Sequence, residues 1–411
     1  MREMKDSGIS WIADIPEHWS VSKIGGLYSL RVTKVSDRDY PPLSVTNKGI
    51  LPQLETAAKT NAHDDRKLVC KGDFAINSRS DRRGSCGISS YTGSVSLINT
   101  ILRPMTEMHP QYYDWLFHTI QFGDEFYKWG HGIVDDLWTT GWQDMKKISI
   151  PTPPITEQAV IADFLDEQCA EIDSLISDIQ SQIEALEEYK RSVITEAVTK
   201  GLDPDVEMRD SGVQWIGEIP THWTLIRIGS LYGLRTQKVS DIDYPPLSVT
   251  KMGVLPQLDT VAKTNAHDDR KLVVKGDFVI NSRSDRRGSC GISDYTGSVS
   301  LINTVLFPIT EMNPRYYNWY FHTVGFADEF YRWGHGIVDD LWTTGWHDMK
   351  NILISVPPLD EQQRIADYLD SKCAEIDNII TEKKQQIETI EEYKKSLIFE
   401  YVTGKKEVVN E

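Results

Sequence analysis

The chain is written twice. "DSGISWIADIPEHW" at 6–19 returns as "DSGVQWIGEIPTHW" at 210–223, and every later match keeps the same offset of 204 residues with no insertion. "PPLSVT" stands at 41–46 and 245–250, "GHGIVDDLWTTGW" at 130–142 and 334–346, and "PPITEQ" at 153–158 answers "PPLDEQ" at 357–362. Residues 59–100 and 263–304 agree at 39 of 42 positions, including the thirteen letters "NSRSDRRGSCGIS" at 77–89 and 281–293. The 411 residues are two copies of 204 plus 3. That period is far longer than the roughly 20–50 residues of a solenoid unit. The chain also exceeds one ordinary core, so each copy is expected to hold a domain of its own. Two like copies pack most simply about a pseudo-twofold axis, as homodimers do.

Each copy has two compartments of different character. The net charge of −17 argues, taken whole, against nucleic acid. The charge is segregated, however. Residues 20–150 carry 16 Lys+Arg against 14 Asp+Glu, a balance of +2, whereas residues 151–200 carry 3 against 11, a balance of −8. The near-neutral compartment reads as a mixed domain. "LSVT", "LVCKGDFAINS" and "GSVSLINTIL" are short apolar runs bounded by Gly, Pro and Asn, the signature of strands. "PQYYDWLFHTIQFGDEFYKWG" places Tyr112, Trp115, Leu116, Phe122 and Phe126 at helical spacing, which predicts one or two helices.

The acidic compartment reads as a long helix. Ile172, Ile176, Ile179, Ile183, Leu186, Lys190, Val193 and Ala197 step by four and three, the seam of a coiled coil. Ile376, Ile380, Lys383, Ile387, Ile390, Lys394, Leu397 and Tyr401 repeat the register. Lys190 and Lys394 fall at equivalent seam positions, where a polar group fixes register at some cost in stability. Thr156 and Asp360, after the Pro-Pro pairs, are the expected N-caps. The expected fold class is α+β: two similar mixed α/β domains separated by two long helices that form an antiparallel coiled coil, pseudo-twofold symmetric. The expected boundaries are 1–154, 155–204, 205–358 and 359–411.

Neither a bilayer-spanning apolar run nor an apolar signal core is present in the sequence. The five cysteines (Cys70, Cys86, Cys169, Cys290, Cys373) form no CxxC pair and read as free thiols of a cytoplasmic protein.

The repeated loop carries the candidate chemistry. Asn77, Arg79, Ser80, Arg82 and Arg83, with Asn281, Arg283, Ser284, Arg286 and Arg287, form a donor-rich set. Arginine forks fit phosphates and the guanine O6/N7 edge, asparagine fits adenine, and serine fits phosphate oxygens. Thr46 and Lys48, with Thr250 and Lys251, follow a predicted strand and are candidates to reach a base edge. Lys59, Arg66, Lys67 and Lys71 add positive charge nearby in sequence. The competing reading is a surface loop in which Asp81 pairs with an arginine. Each helical seam covers 26 residues, about 39 Å at 1.5 Å per residue. That is close to one turn of B-DNA, about 34–36 Å. Two like domains held so would face inverted half-sites on one side of a duplex.

With "WIADIPEHW"/"WIGEIPTHW" leading each domain and "PPITEQ"/"PPLDEQ" opening each helix, the chain resembles the specificity subunits of type I restriction–modification systems. "IEALEEYKRSVITEAVTKGL" and "IETIEEYKKSLIFEYVTGK" in the helices complete the likeness, which covers essentially the whole length. The resemblance implies two target-recognition domains, each reading half of a bipartite site in double-stranded DNA. It implies helical spacers that set the gap and dock two methylation subunits, with restriction (motor-nuclease) subunits as further partners. No cofactor is expected in this chain; S-adenosylmethionine is expected in the methylation partner. Members usually carry two dissimilar recognition domains. Here the domains are more alike than the helices, which agree at 27 of 50 positions from 151 and 355 onward, so a palindromic or near-palindromic target is expected.

Two rival classes remain: a self-sufficient adenine methyltransferase or nuclease, and a coiled-coil scaffold without DNA binding. "NPRY" at 313–316 is similar to an adenine-methyltransferase motif, in which an amide holds the target amine and an aromatic stacks on the flipped base. The first copy has "HPQY" (109–112), so both read better as a helix start with an aromatic core face. "NAHDDRK" at 61–67 and 265–271 offers His and Asp for a hard divalent metal, but adjacent residues rarely converge on one ion, and a polar turn is the simpler reading. "GHG" at 130–132 and 334–336 is a DNA contact or only a turn.

Overall fold

The computed structural model describes residues 2–53, 63–132, 138–257, 268–336 and 342–409. The chain divides into two compact units, residues 1–179 with 384–411 and residues 180–383.

In the first unit the central sheet has four antiparallel strands, in the order Cys86–Ile88, Phe74–Asn77, Asn99–Pro104, Tyr28–Leu30. Around it lie a three-stranded sheet, ordered Gly93–Val95, Arg66–Val69, Lys34–Val35, and three two-stranded pairs: Leu43–Thr46 with Gly49–Pro52, Met4–Ile9 with Ala13–Pro16, and Ser20–Lys23 with Ser149–Thr152. Side chains alternate along a strand. Phe74, Ile76 and Leu102 enter an aromatic core, whereas Ala75 and Ile101 enter a second core with Leu43, Ile50, Val69 and Val95. Burial on both faces explains why "FAIN" is apolar in sequence rather than alternating with polar residues.

The predicted helical stretch is two helices, Pro110–Phe117 and Ile120–Lys128. Thr119 separates them and caps the second, its hydroxyl accepting from the Phe122 N–H at 3.3 Å. Tyr112, Leu116, Phe122 and Phe126 are buried as their spacing requires; Phe117 lies 4.6 Å from both Phe74 and Phe122, ring to ring. Trp115 stays at the rim, its indole donating to Asp166 at 2.8 Å.

The second unit repeats this plan. Its central sheet runs Tyr232–Leu234, Asn303–Pro308, Phe278–Asn281, Cys290–Ile292, and its helices are Pro314–Phe321 and Val324–Arg332. Asn313 caps the first of these, accepting from the N–H groups of Arg315 and Tyr316 at 2.9 and 3.2 Å. The amide of "NPRY" therefore serves a helix start.

Two long helices, Ile155–Lys200 and Leu359–Val402, carry the acidic segments. Each begins one residue after its Pro-Pro pair, so Thr156 and Asp360 lie inside the first turn and are not the N-caps. The Pro154 carbonyl already accepts from Glu157 and Gln158 at 2.9 and 3.0 Å. Glycines at positive φ, Gly201 (+79°) and Gly404 (+72°), follow the C-termini. In the first unit Phe164 packs on Tyr401 (4.5 Å) and Lys394 bonds Asp173 (2.6 Å). In the second, Lys383 bonds Gln182 (2.6 Å) and Lys190 bonds Asp377 (2.6 and 2.7 Å). In each unit rising numbers on one helix meet falling numbers on the other, so the paired segments run antiparallel. Every seam position proposed from the period is buried or half-buried.

Candidate nucleic-acid interface

The two recurring motifs meet in a clasp. Trp19 and His18 of "IPEHW" bond the Glu157 carboxylate of "PPITEQ" at 3.0 and 2.5 Å, and Trp223 and His222 bond Glu361 at 3.1 and 2.8 Å. Buried Gln158 donates to the Pro153 carbonyl and accepts from the His109 N–H, at 2.8 and 2.9 Å. These residues fix each domain to the start of its own helix.

The arginine loop leaves the end of the Phe74–Asn77 strand and makes one 3-10 turn, Ser80–Arg82. Asn77 is buried, and its side-chain oxygen accepts from the Arg79 N–H at 3.1 Å. Asp81 sits between two arginines, 3.2 Å from Arg79 Nε and 3.8 Å from Arg82 Nε. Arg83 lies over the Tyr127 ring at 5.2 Å and pairs with Asp124 at 2.7 Å. The Tyr127 hydroxyl donates to the Asn77 carbonyl at 3.2 Å, and burial pushes its pKa up, so it remains a neutral donor. The second unit reproduces each contact: Arg283–Asp285 at 3.2 Å, Arg286–Asp285 at 3.7 Å, and Arg287 over Tyr331 at 5.5 Å and paired with Asp328 at 2.8 Å. There the loop borders an open cavity of about 830 Å³, lined by Ser284, Asp285, Arg287, Asp328, Tyr331, Arg332 and Trp342.

Arg82 and Arg286 are the most exposed of the six, at 68% and 67% of the side chain; Arg79 and Arg283 are half as exposed. Asp81 therefore pairs with arginines as the surface-loop reading expects, and the arginines still face solvent. Such exposed pairs are worth about 0–1 kcal/mol, weak enough to open for a stronger anion.

The hairpin tip reaches the same neighbourhood. A Cβ on Gly87 would lie 2.9 Å from the Gly49 Cα, so glycine is required where tip and strand cross. Thr46 spends its hydroxyl inside the turn, accepting from the Lys48 N–H (3.1 Å) and donating to the Gly49 carbonyl (2.9 Å). Thr250 does the same with Met252 and Gly253, both at 3.1 Å. Lys48 and Lys251 are exposed.

Some neighbouring charges serve the sheets instead. Arg66 is buried and donates to the Ser94 hydroxyl and carbonyl at 2.9 and 3.0 Å; burial lowers its pKa. Lys67 donates to the Asn99 carbonyl at 2.6 Å, and burial lowers its pKa too. Lys71 is exposed, and Lys59 lies outside the described residues.

"GHG", open in the sequence between a DNA contact and a turn, lies beside the arginine loop. Thr139 bridges Arg79 on one side and His131 on the other, so the histidine lies two backbone bridges from the loop, its ring 3.3 Å from Asp144. The Trp138 indole donates to the Tyr127 carbonyl at 2.7 Å and occupies the space a Cβ on Gly130 would need. Residues 133–137 and 337–341 of this stretch lie outside the described residues. The verbatim repetition of thirteen letters was the available signal that this segment belongs to the loop. Of "NAHDDRK", His63 pairs with Asp37 at 3.0 Å and Asp65 with Lys34 at 2.5 Å, and among the described residues no cluster of three or more His, Cys, Asp or Glu could hold a metal.

Residues 222–389 match the family model of the type I restriction modification DNA specificity domain. The type I restriction enzyme MjaVIII specificity subunit of Methanocaldococcus jannaschii is 24% identical over 96% of this chain and 95% of that protein. A protein of the same organism, provisionally named the MjaX specificity subunit, is 28% identical over 64% of this chain; the match spans 60% of that relative. Two solved structures share the fold. A chain from a study of complex assembly and conformational transition of the type I R-M system has a TM-score of 0.71, with 13% identity over 95% of this chain and 99% of that one. The HsdS subunit from Thermoanaerobacter tengcongensis has a TM-score of 0.53, with 15% identity over 95% and 98%. The family match falls in the second copy, and the first copy repeats it at an offset of 204. Over nearly its whole length the chain is similar to the DNA specificity subunits of type I restriction–modification systems.

Proposed function

We propose that this subunit reads a bipartite, palindromic or near-palindromic DNA site, one half with each mixed domain. Residues 1–154 and 205–358 act as target-recognition domains. Residues 155–204 and 359–411 set the gap and dock two methylation subunits, which bind S-adenosylmethionine; restriction subunits join the same complex. The chain itself is the address and performs no chemistry, and it acts in the cytoplasm. Among the described residues no helix is long and apolar enough to cross a membrane.

One observation carries the reading: the same arginine loop, with the same contacts, stands on both domains. Arg79, Arg82, Arg83, Arg283, Arg286 and Arg287 contact DNA, with Lys48 and Lys251 beside them. Asn77, Asn281, Thr46 and Thr250 hold the backbone that presents these cations, and Ser80 and Ser284 lie within the loop. Each base-reading arginine is worth about 1–3 kcal/mol of discrimination, whereas phosphate-binding ones change affinity without changing preference. The acidic helices repel phosphates and suit a protein partner.

Methylation-motif sequencing of DNA from cells expressing this chain with its methylation subunits tests the reading. An inverted-repeat bipartite motif is the expected result. A clearly asymmetric motif sinks the palindrome, and no motif at all sinks the DNA-reading role.

A further inference from the structure

Ser96–Asn99 is a four-residue turn, with the Asn99 backbone and side-chain N–H groups both donating to the Ser96 carbonyl at 3.1 Å. Its corners are Leu97 and Ile98, 37% and 43% exposed. In the second unit Leu301 and Ile302 hold the same corners at 40% and 44%, and Asn303 bonds Ser300 in the same way. Turn corners favour Gly, Pro, Asn, Asp and Ser. Other turns of the first unit comply, with Asn47–Lys48 and Lys71–Gly72, whereas in the second unit the hairpin tip is Lys251–Met252. The corner backbone only tolerates them, since among the described residues the one non-glycine at positive φ is Ala13. Two large aliphatics at a solvent corner break the local rule, and they do so in both copies. Such breaks concentrate at functional sites.

The corner is bonded to the root of the arginine loop. Ser78, which precedes Arg79, donates its N–H to the Ile98 carbonyl at 3.3 Å, and its hydroxyl lies 2.8 Å from that of Thr100. In the second unit the distances are 3.2 and 2.9 Å. If the arginines meet a base edge, a corner bonded to the root of their loop is the natural candidate for the neighbouring edge. Among major-groove base edges the apolar group is the C5-methyl of thymine. A protein partner is disfavoured by size: a stable interface covers about 800 Å² per side, more than two half-exposed side chains offer.

We propose that Leu97–Ile98 and Leu301–Ile302 are a second readout element, seated against a thymine methyl beside the base pairs that the arginines read. This rests on the arginine loop being the DNA contact. The test uses the full chain assembled with its methylation subunits and a duplex carrying the motif found by sequencing, with each thymine replaced in turn by uracil. Uracil at one position in each half-site should weaken wild-type binding on the order of tenfold. The quadruple variant Leu97→Ser, Ile98→Asn, Leu301→Ser, Ile302→Asn keeps good turn formers at every corner. It should melt like wild type, bind the thymine duplex about tenfold more weakly, and no longer distinguish uracil. Unchanged affinity in the variant, wild-type indifference to uracil at every position, or a loss of methylation-subunit assembly at unchanged DNA affinity each overturns the proposal. If arginine variants lose binding while uracil has no effect, the apolar corner alone falls; if wild type binds no duplex, the loop reading falls and takes the corner with it.

Discussion

Asp114 and Asn318 occupy the same place in the two units, and they differ by a charge that titrates. Asp114 accepts from the Ile88 N–H at 2.9 Å, and Asn318 from the Ile292 N–H at 3.2 Å. Burial raises the Asp114 pKa, against the opposing pull of His118 and the Ile88 N–H. A carboxyl whose folded pKa is raised weakens the fold as pH climbs past its unfolded value of about 4, and the penalty is complete above the folded pKa. Asp114→Asn keeps the acceptor and removes the charge. It should raise the melting temperature at pH 7, with the gain shrinking as pH falls toward the unfolded aspartate range. A gain that does not change with pH would assign the effect to packing instead. Roles of this kind were not legible in the sequence. Asp73, Asp81 and Asp114 look alike as letters. Asp73 is buried under Arg31, 42 residues away, with bonds of 2.6 and 2.9 Å; Asp81 sits between exposed arginines. Long-range partners decide which cations face solvent: Lys48 and Arg82 are exposed, whereas Arg66 and Lys67, read from sequence only as nearby positive charge, bond Ser94 and Asn99.

At the scale of elements, what repeats could be read and what closes over distance could not. The strands in "LSVT" and "LVCKGDFAINS" follow from short apolar runs bounded by Gly, Pro and Asn, and the aromatic helices and the helical seam follow from spacing, because one-sided burial imposes a period of about 3.6 on a helix's apolar letters. The sheet order and the clasp of Trp19 on Glu157 join residues far apart in the chain, so no local pattern records them. The seam lysines lie between these cases. Their position was legible, but their partners were not: Lys190 pairs with Asp377 and Lys394 with Asp173, each lysine about four-fifths covered and each aspartate mostly exposed. Ion pairs of that exposure couple by about 1 kcal/mol or less. Lys394→Leu, by extending the apolar seam, should therefore raise the melting temperature of the first unit, and a double-mutant cycle with Asp173→Ala should return a coupling of about 1 kcal/mol or less. A fall in melting temperature with Lys394→Leu would mean that the ion pair outweighs an apolar seam.

For the molecule as a whole, the two copies in sequence are not the two units in space. The first unit takes residues 384–411 from the end of the chain, and the second is one continuous segment, 180–383. Leu397 and Val402 are buried in the first unit's core, the Tyr112 hydroxyl donates to the Val402 carbonyl at 2.7 Å, and Lys405 donates to the Ile12 carbonyl at 2.9 Å. In the second unit Val198 plays the part of Val402, accepting from Tyr316 at 3.0 Å, so that unit draws every such contact from within its own segment. A chain ending after Lys383 should consequently lose the first unit and keep the second. Removing Leu397 and Val402 strips two fully buried aliphatics, about 1.5–3 kcal/mol each before any cavity term, and orphans the Tyr112 hydroxyl. Those losses together rival the 5–15 kcal/mol that holds a typical domain. Amide hydrogen exchange on the truncated chain should show fast exchange in the Phe74–Asn77 and Asn99–Pro104 strands and protection in Phe278–Asn281 and Asn303–Pro308. Equal loss in both sets would mean that the second unit also depends on the tail, and equal protection would mean that the first unit's aromatic core stands without it.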